Sequence, residues 1–361
     1  MTLLLAVLFL LLIYFIFLEL YPIRRIKAKS LGLLPYKLPS LYLYSFEIHL
    51  HSQFSYDSLG KPEDILDFAK TEEIDYVITT DHDNDYIKYF ADHRLIAGIE
   101  RKVLGEGGSI LGDLLLVDDI RVVAHPFKEK YRWKMDLPED YLFELIDLKD
   151  ALLERKDLLF SHLPYILIKG FFSINYALEA IKKLIPVEKY ALLYLSMGIK
   201  NPIVGGLDHH VKVYIREVGV RFLFPHYKHS FRLMRNFLIS EERVESKEDF
   251  LKQLKKGHTV ISFSKKPTLY WKEEGKIKIY PSERCLLIRY SREGVEAYKG
   301  SYFEMEQVGT SLFLAYTYKF QWSNFYFGLK QLFIFLWKEE EYGRDAFARG
   351  NKGENTSKGF Q

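Results

Sequence analysis

Residues 44–51 read YSFEIHLH, and how this run folds decides both the architecture and the chemistry. Taken as a strand, it sets Phe46, Ile48 and Leu50 on one face and Glu47, His49 and His51 on the other, because side chains alternate along extended backbone. Two imidazoles then enter one space. Neutral imidazole is the commonest protein metal ligand, and a pair at i and i+2 on a stiff strand is spaced to share an ion. A half-buried strand with two hydrogen-bonded histidines would read the same, so the triplet alone leaves both readings open.

Four later stretches repeat the theme. DYVITTDHD (75–83) ends an aliphatic run on Asp81, His82 and Asp83, LIAGIE (95–100) ends on Glu100, and IRVVAHPF places His125 directly after Val122, Val123 and Ala124. NPIVGGLDHH leads through two glycines to Asp208, His209 and His210. Barrel enzymes carry their chemistry where successive parallel strands end, because those ends converge on one mouth. Five such endings in order point to a metal site rather than to scattered core histidines. Between the first two, Pro62, Glu63 and Asp64 mark a helix start, Ile65, Leu66, Phe68 and Ala69 give its buried stripe, and Asp57 lies in the loop before it.

With 361 residues the chain has room for about two domains. A net charge of +3 with 27% charged residues gives no electrostatic case for nucleic acid. Cys285 is the single cysteine, which excludes an intramolecular disulfide and a thiolate-rich zinc site and leaves His and carboxylate as ligands.

Leu3 to Leu18 is unbroken apolar sequence followed by Glu19, Leu20 and Tyr21. Residues 1–21 read as a transmembrane anchor, with no basic residue before the segment and no small-x-small cleavage site to favour a signal peptide. Arg24, Arg25, Lys27 and Lys29 follow it, which favours the cytoplasmic side for the remainder and leaves the side open. Residues 22–43 then read as a linker with Gly32, Pro35 and Pro39.

The series HxHS, SYDS with a following glycine, TDHD, GIE, AHPF and GLDHH, over Glu47 to His210, resembles the PHP (polymerase and histidinol phosphatase) family of metal-dependent phosphoesterases. The resemblance covers roughly half the chain. It implies an α/β fold, a distorted (β/α)7, TIM-like barrel over 44–258 with two to three divalent ions (Zn, Mn or Fe) at its mouth. On that resemblance His49, His51, Glu100 and Asp208 hold one metal, Glu100 bridges to a second that takes His125, and Asp57, His82 and His210 hold the third. His209 falls at a variable position and takes no metal. Family members often complete the second site with one more histidine, and His162, alone between His125 and His209, is the tentative candidate. FELIDLKDAL (143–152) resembles a family strand ending in Asn, with Asp147 in that place.

Such ligand sets activate water and bind phosphate, so no nucleophilic side chain is needed and the catalytic acid and base stay unassigned. The expected activity is hydrolysis of a small phosphomonoester or short phosphodiester. Arg94, Arg101, Lys128 and Arg132 lie near the motifs as possible phosphate clamps. A non-catalytic, metal-stabilised, membrane-tethered binding module and a metal-dependent amide or lactone hydrolase are the alternatives; sequence leaves the oligomeric state open. Beyond the motifs, FPHYKHSFRLMRNF and SKEDFLKQLKKG read as amphipathic helices. Residues 259–337 read as a small antiparallel β domain ending in an aromatic helix over 324–337, packed on the barrel or lying on the membrane, and 338–361 as a disordered tail.

Overall fold

The run at 44–51 belongs to a strand, β3 (Tyr42–Leu50), that starts a curved mixed sheet. The computed structural model describes residues 2–31, 38–217, 220–307 and 309–338. Before β3 come helix α1 (Thr2–Leu20) and two short strands, β1 (Ile23–Arg25) and β2 (Lys29–Ser30). After it, α2 (Pro62–Thr71) opens on Pro62, with the Asp64 carboxylate accepting from the Lys61 N–H at 3.2 Å. Parallel strands β4 (Tyr76–His82) and β5 (Leu95–Leu104) follow. β5 runs four residues past Glu100 because β6 (Ile110–Val117) pairs back along it, antiparallel. β7 (Ile120–Ala124) also pairs antiparallel to β6. Asp118 and Asp119 alone link these two strands, and so short a loop joins only antiparallel neighbours. β8 (Leu142–Asp147) and β9 (Ile203–Gly206) resume the parallel direction. Between them lie four helices, α3 (Leu148–Glu154), α4 (Lys156–Phe172), α5 (Ile174–Lys182) and α6 (Val187–Met197).

The seven strands β3 to β9 curl until the last meets the first. Leu207 N–H donates to Ile48 O at 3.1 Å, and His51 N–H donates to His209 O at 3.0 Å, although a single bridge and not a ladder joins the two ends. Asn236 supports this junction from a neighbouring strand, its side chain bonding both the N–H and the C=O of Gly205 at 2.8 Å. One apolar cluster draws side chains from every strand of the run, including Ile48, Ile78, Ile96, Leu115, Val122, Leu142 and Val204. Seven flat strands would span about 29 Å at ~4.8 Å spacing, too wide for one cluster, so curvature is built into the core.

The chain continues through the hairpin β10 (Val213–Glu217) and β11 (Val220–Phe224), then α7 (Tyr227–Leu233), β12 (Arg235–Ser240) and α8 (Lys247–Lys256). The helix expected over the FPHYKHSFRLMRNF stretch is only seven residues long, since Arg235 already pairs in β12. α8 is capped by Ser246 and ends at Gly257 with φ 76°, and its Phe250, Leu251 and Leu254 join the cluster described above. β12 pairs with β3, so the sheet extends without a break into the C-terminal strands. These are β13 (Thr259–Ser262), β14 (Leu269–Glu273), β15 (Lys276–Tyr280), β16 (Cys285–Ser291), β17 (Gly294–Gly300), β18 (Phe303–Glu306), β19 (Ser311–Thr317), β20 (Phe320–Trp322), β21 (Phe325–Phe327) and β22 (Lys330–Trp337). The 14-stranded sheet runs β2-β17-β16-β19-β22-β13-β12-β3 and on through β9, while β14, β15 and β18 form a separate three-stranded sheet.

Two expectations need correction. The aromatic stretch 324–337 is not a helix: β22 sits between β13 and β19 with Gln331 to Trp337 buried, and a short apolar run covered on both faces has no period that separates strand from helix. Residues 22–31 of the expected linker are docked, β1 on β21 and β2 on β17. Residues 32–37 of that linker, and 339–361 of the expected tail, lie outside the described residues. α1 is long and apolar enough to cross a membrane, a test that a signal sequence also meets.

Asn236→Leu would leave both backbone groups of buried Gly205 unpaired. The expected cost is roughly 2–4 kcal/mol, read as a lower denaturation midpoint at unchanged slope; an unchanged midpoint would show that the amide does not hold β9 in place.

Candidate metal centre

The histidine pair reaches its place by a break in the strand, not by simple alternation. His49 adopts φ 65°, and the β3–β4 register slips between Ile48 and Leu50. Phe46 and Ile48 therefore pack in the cluster that α8 completes, whereas Leu50 packs in the other large cluster with Ile65 and Ala69 of α2. Glu47 does not join the histidines: both its carboxylate oxygens are buried without a partner, and burial raises its pKa well above the usual range despite Arg235 nearby. His125 after β7 (φ 48°) and Asp208 after β9 (φ 42°) also sit in the left-handed region. Three non-glycine residues in this sparsely populated conformation, each at a strand end in one cluster, mark strain held at a site.

The side chains meet closely. Glu100 Oε2 lies 3.5 Å from His49 Nε2 and 3.2 Å from His51 Nε2, and Asp208 Oδ1 lies 3.7 Å and 3.5 Å from the same two nitrogens. A tetrahedral ion with bonds of about 2.1 Å separates its donors by about 3.4 Å. The residues present fit such an ion. His49 Nε2, His51 Nε2 and Glu100 Oε2 are buried without a hydrogen-bond partner, so the atoms aimed at the common centre are the unsatisfied ones. His82 Nε2 and His210 Nε2 approach Asp57 at 3.7 Å and 3.0 Å, and with His51 these groups could hold another ion at the more open edge. His125 Nε2 lies 3.2 Å from Glu100 Oε1.

A second layer fixes the rings. His49 Nδ1 is 2.6 Å from Glu144 Oε1, His51 Nδ1 is 3.0 Å from Ser55 Oγ, and His125 Nδ1 is 2.8 Å from Asp147 Oδ2 and 2.9 Å from Asp150 Oδ2. Each ring thus spends Nδ1 on a neighbour and turns Nε2 to the centre, as metal-ligating histidines do. Asp147 also caps α3, its other oxygen accepting from the Asp150 N–H at 2.8 Å. Glu144 needs Gly206 beside it, because a Cβ there would collide with its carboxylate.

Electrostatics carry the same message. Burial disfavours charge on Glu100 and Asp208, yet the imidazoles around them hold both carboxyls well below the usual range. Burial would lower His49 and His125, but Glu144 and Glu100 raise the first well above an ordinary imidazole, and Asp147 and Asp150 the second. His82 goes the other way, pushed by burial to about 4. Burial and the Asp208 charge raise Asp147 to about 6.

Of the residues singled out from sequence, His49, His51, Asp57, His82, Glu100, His125, Asp208 and His210 are brought together. His162 is not: it sits on α4, its Nδ1 2.8 Å from Leu158 O and its ring 5.9 Å from that of Tyr21. His209 is buried against Tyr227 and Ser230, apart from the ligand groups. Where one more histidine was sought, the structure supplies Asp147 and Asp150 of the ELIDLKD stretch (144–150), with Lys149 Nζ 2.7 Å from Asp208 and Lys128 Nζ 2.5 Å from Asp150. Asp147 stood out in sequence as the end of a strand; Glu144, inside that strand, did not, nor did Lys149 and Asp150, since charged residues at a helix start look like ordinary capping. Arg94 bonds Ile74 O and Arg101 pairs with Asp83, both outside the cluster, and Arg132 is exposed.

No family model matches the sequence, and no curated protein matches it. Among solved structures, a two-domain protein from Bacteroides vulgatus, described as containing a predicted PHP-like metal-dependent phosphoesterase, aligns over 81% of this chain and 94% of its own at 13% identity, with a TM-score of 0.36. A likeness that loose carries no weight for the site, whose own geometry has to speak.

Full-length protein purified without chelator is expected to retain its metal content in His162→Ala and lose most of it in His49→Ala. Glu144→Gln is expected to weaken metal affinity about 10–100-fold, read by competition with a chromophoric chelator. Loss of metal in His162→Ala with His49→Ala unaffected would refute this assignment.

Proposed function

We propose that this chain is a membrane-anchored, metal-dependent phosphoesterase of the PHP type, built on a distorted seven-stranded barrel formed by β3 to β9. The observation that carries the reading is the quartet His49, His51, Glu100 and Asp208, in which each imidazole Nε2 stands 3.2–3.7 Å from each of the two buried carboxylates. The order of motifs along the chain supports it independently. Two to three divalent ions (zinc, manganese or iron) are the cofactors, and the sequence's His and carboxylate donors suit any of the three. Held there, such ions supply Lewis acidity toward phosphate oxygens and a water nucleophile at neutral pH.

The protein's own groups bind and orient. Lys149, about one-third exposed and bonded to Asp208, offers an ammonium at the mouth for an anionic phosphate, and Lys128 does the same beside Asp150. Both also put positive charge on the carboxylates around His125, the position left without a further histidine. Tyr56, 78% exposed, stacks on His82 at 4.8 Å and forms one wall of the entrance. Covalent catalysis finds little support: Ser52 Oγ donates to Asp81, Ser58 Oγ donates to His51 O, and Ser55 Oγ bonds the His82 N–H, so the nearby hydroxyls are engaged. Cys285 is fully buried, in β16. α1 supplies the anchor, with the basic residues after it favouring the cytoplasmic side.

In detergent, the full chain is expected to hydrolyse p-nitrophenyl phosphate or its bis-ester. Asp208→Ala should lower kcat/KM at least 100-fold, and chelation followed by metal return should abolish and restore turnover. Lys149→Ala should raise KM more than it lowers kcat. Turnover of lactones or amides alone, or full activity in folded, metal-free protein, would overturn the reading.

A further inference from the structure

α4 shows water a face that its sequence does not suit. Phe160, Leu163, Leu167, Ile168, Phe171 and Phe172 recur at helical spacing along one side, and Phe171 and Phe172 are 87% and 73% exposed. The opposite side of the helix is buried, with His162, Tyr165 and Ile166 facing α1, the residues just after it, and α5. An exposed apolar strip of this length marks an interaction surface rather than ordinary surface apolarity.

What covers it follows from its neighbour. The last turns of α1 lie directly on α4: Tyr14, Phe15 and Leu18 pack with Leu159, Tyr165 and Ile166, and Tyr14 donates to Ser161 O. Toward its N-terminus α1 is itself bare, with Leu3 to Leu12 exposed. The two apolar surfaces thus adjoin. At about 1.5 Å per residue, Tyr14 stands only about 9 Å inside the end of α1. If α1 crosses the bilayer, the helix touching it at that depth lies at the boundary between hydrocarbon and headgroups. Glu19 near the end of α1 is neutralised: it pairs with Lys169 at 3.0 Å, with Lys319, and with the Tyr165 hydroxyl.

We infer that α4 is a membrane-embedded interfacial helix, its exposed stripe facing acyl chains beside α1, so that the protein is held to the bilayer at two places rather than by a single tether. The inference rests on the reading of α1 as a membrane span. A lipid surface covers α1 and the stripe together, which a second copy docked on α4 alone does not. The arrangement also ties membrane to site: Arg155 alone separates α4 from α3, whose first turn carries Lys149 and Asp150. The orientation of the mouth toward the bilayer is then set by a rigid helical segment.

The test uses the full chain, whose natural cysteine is buried, with Leu8→Cys, Leu167→Cys, Phe171→Cys and, as an exposed control on α8, Lys252→Cys. Each is labelled with an environment-sensitive fluorophore and reconstituted into phosphatidylcholine–phosphatidylglycerol vesicles with or without spin-labelled acyl chains. Labels at 8, 167 and 171 are expected to lose at least half their emission to the quencher, and the label at 252 to lose none. Quenching at 8 without quenching at 167 and 171 overturns the proposal and leaves the span standing. Quenching at 167 and 171 but not at 8 removes the span and with it the attachment at two places, and so overturns the proposal as well. No quenching at any position removes both. A concentration-dependent blue shift at 167 and 171 without lipid identifies a second copy as the occupant and overturns the proposal.

Discussion

The Glu100 carboxylate, only 3% exposed, lies within 3.2–3.5 Å of ring nitrogens from four histidines: His49, His51, His82 and His125. An ionised carboxylate removed from water is costly unless positive charge comes with it. Protonated imidazoles or bound cations can supply that charge, and much of the surrounding structure reads as an arrangement for bringing it. The ends of β3, β4 and β7 have to converge on a residue inside β5. Backbone at His49, His125 and Asp208 takes up a strained conformation to do so, and Glu144, Asp147, Asp150 and Ser55 then hold the rings.

The parts of this site that were legible in sequence are those that end strands. A short aliphatic run stopping at a metal-capable residue is a local signal, and five in order define a converging mouth without knowledge of a single contact. The face on which His49 lies was not legible. Period-two alternation puts Glu47 with the histidines, whereas the left-handed turn at His49 reverses the faces, so Glu47 is left buried elsewhere beside Arg235. No sequence rule announces that bulge, since His is not a residue that requires positive φ. His162 misled for a related reason. Sequence order offers it as the histidine between two motifs, but four helices separate β8 from β9 and carry it away to the end of α1. Asp150, three residues past Asp147, is nearer in space because α3 begins at the site.

The C-terminal half shows where periodicity fails. KQLFIFLW at 330–337 is buried along nearly its whole length, and a strand with both faces covered has the same uniform apolarity as a buried helix. Its position between β13 and β19 decides the matter, which is information from 70 residues upstream. The exposed apolar stripe is instead on α4, where six apolar side chains recur at helical spacing. The segment after α1 reads as a linker, yet its residues 23–25 and 29–30 pair with β21 and β17, so α1 and the body are joined.

The most direct test of the central claim is anomalous diffraction at a transition-metal edge from crystals of the full chain grown without chelator. The account predicts a peak within bonding distance of His49 Nε2, His51 Nε2, Glu100 and Asp208. A well-ordered cluster with no peak among those four side chains, held together by protons and water alone, would contradict it.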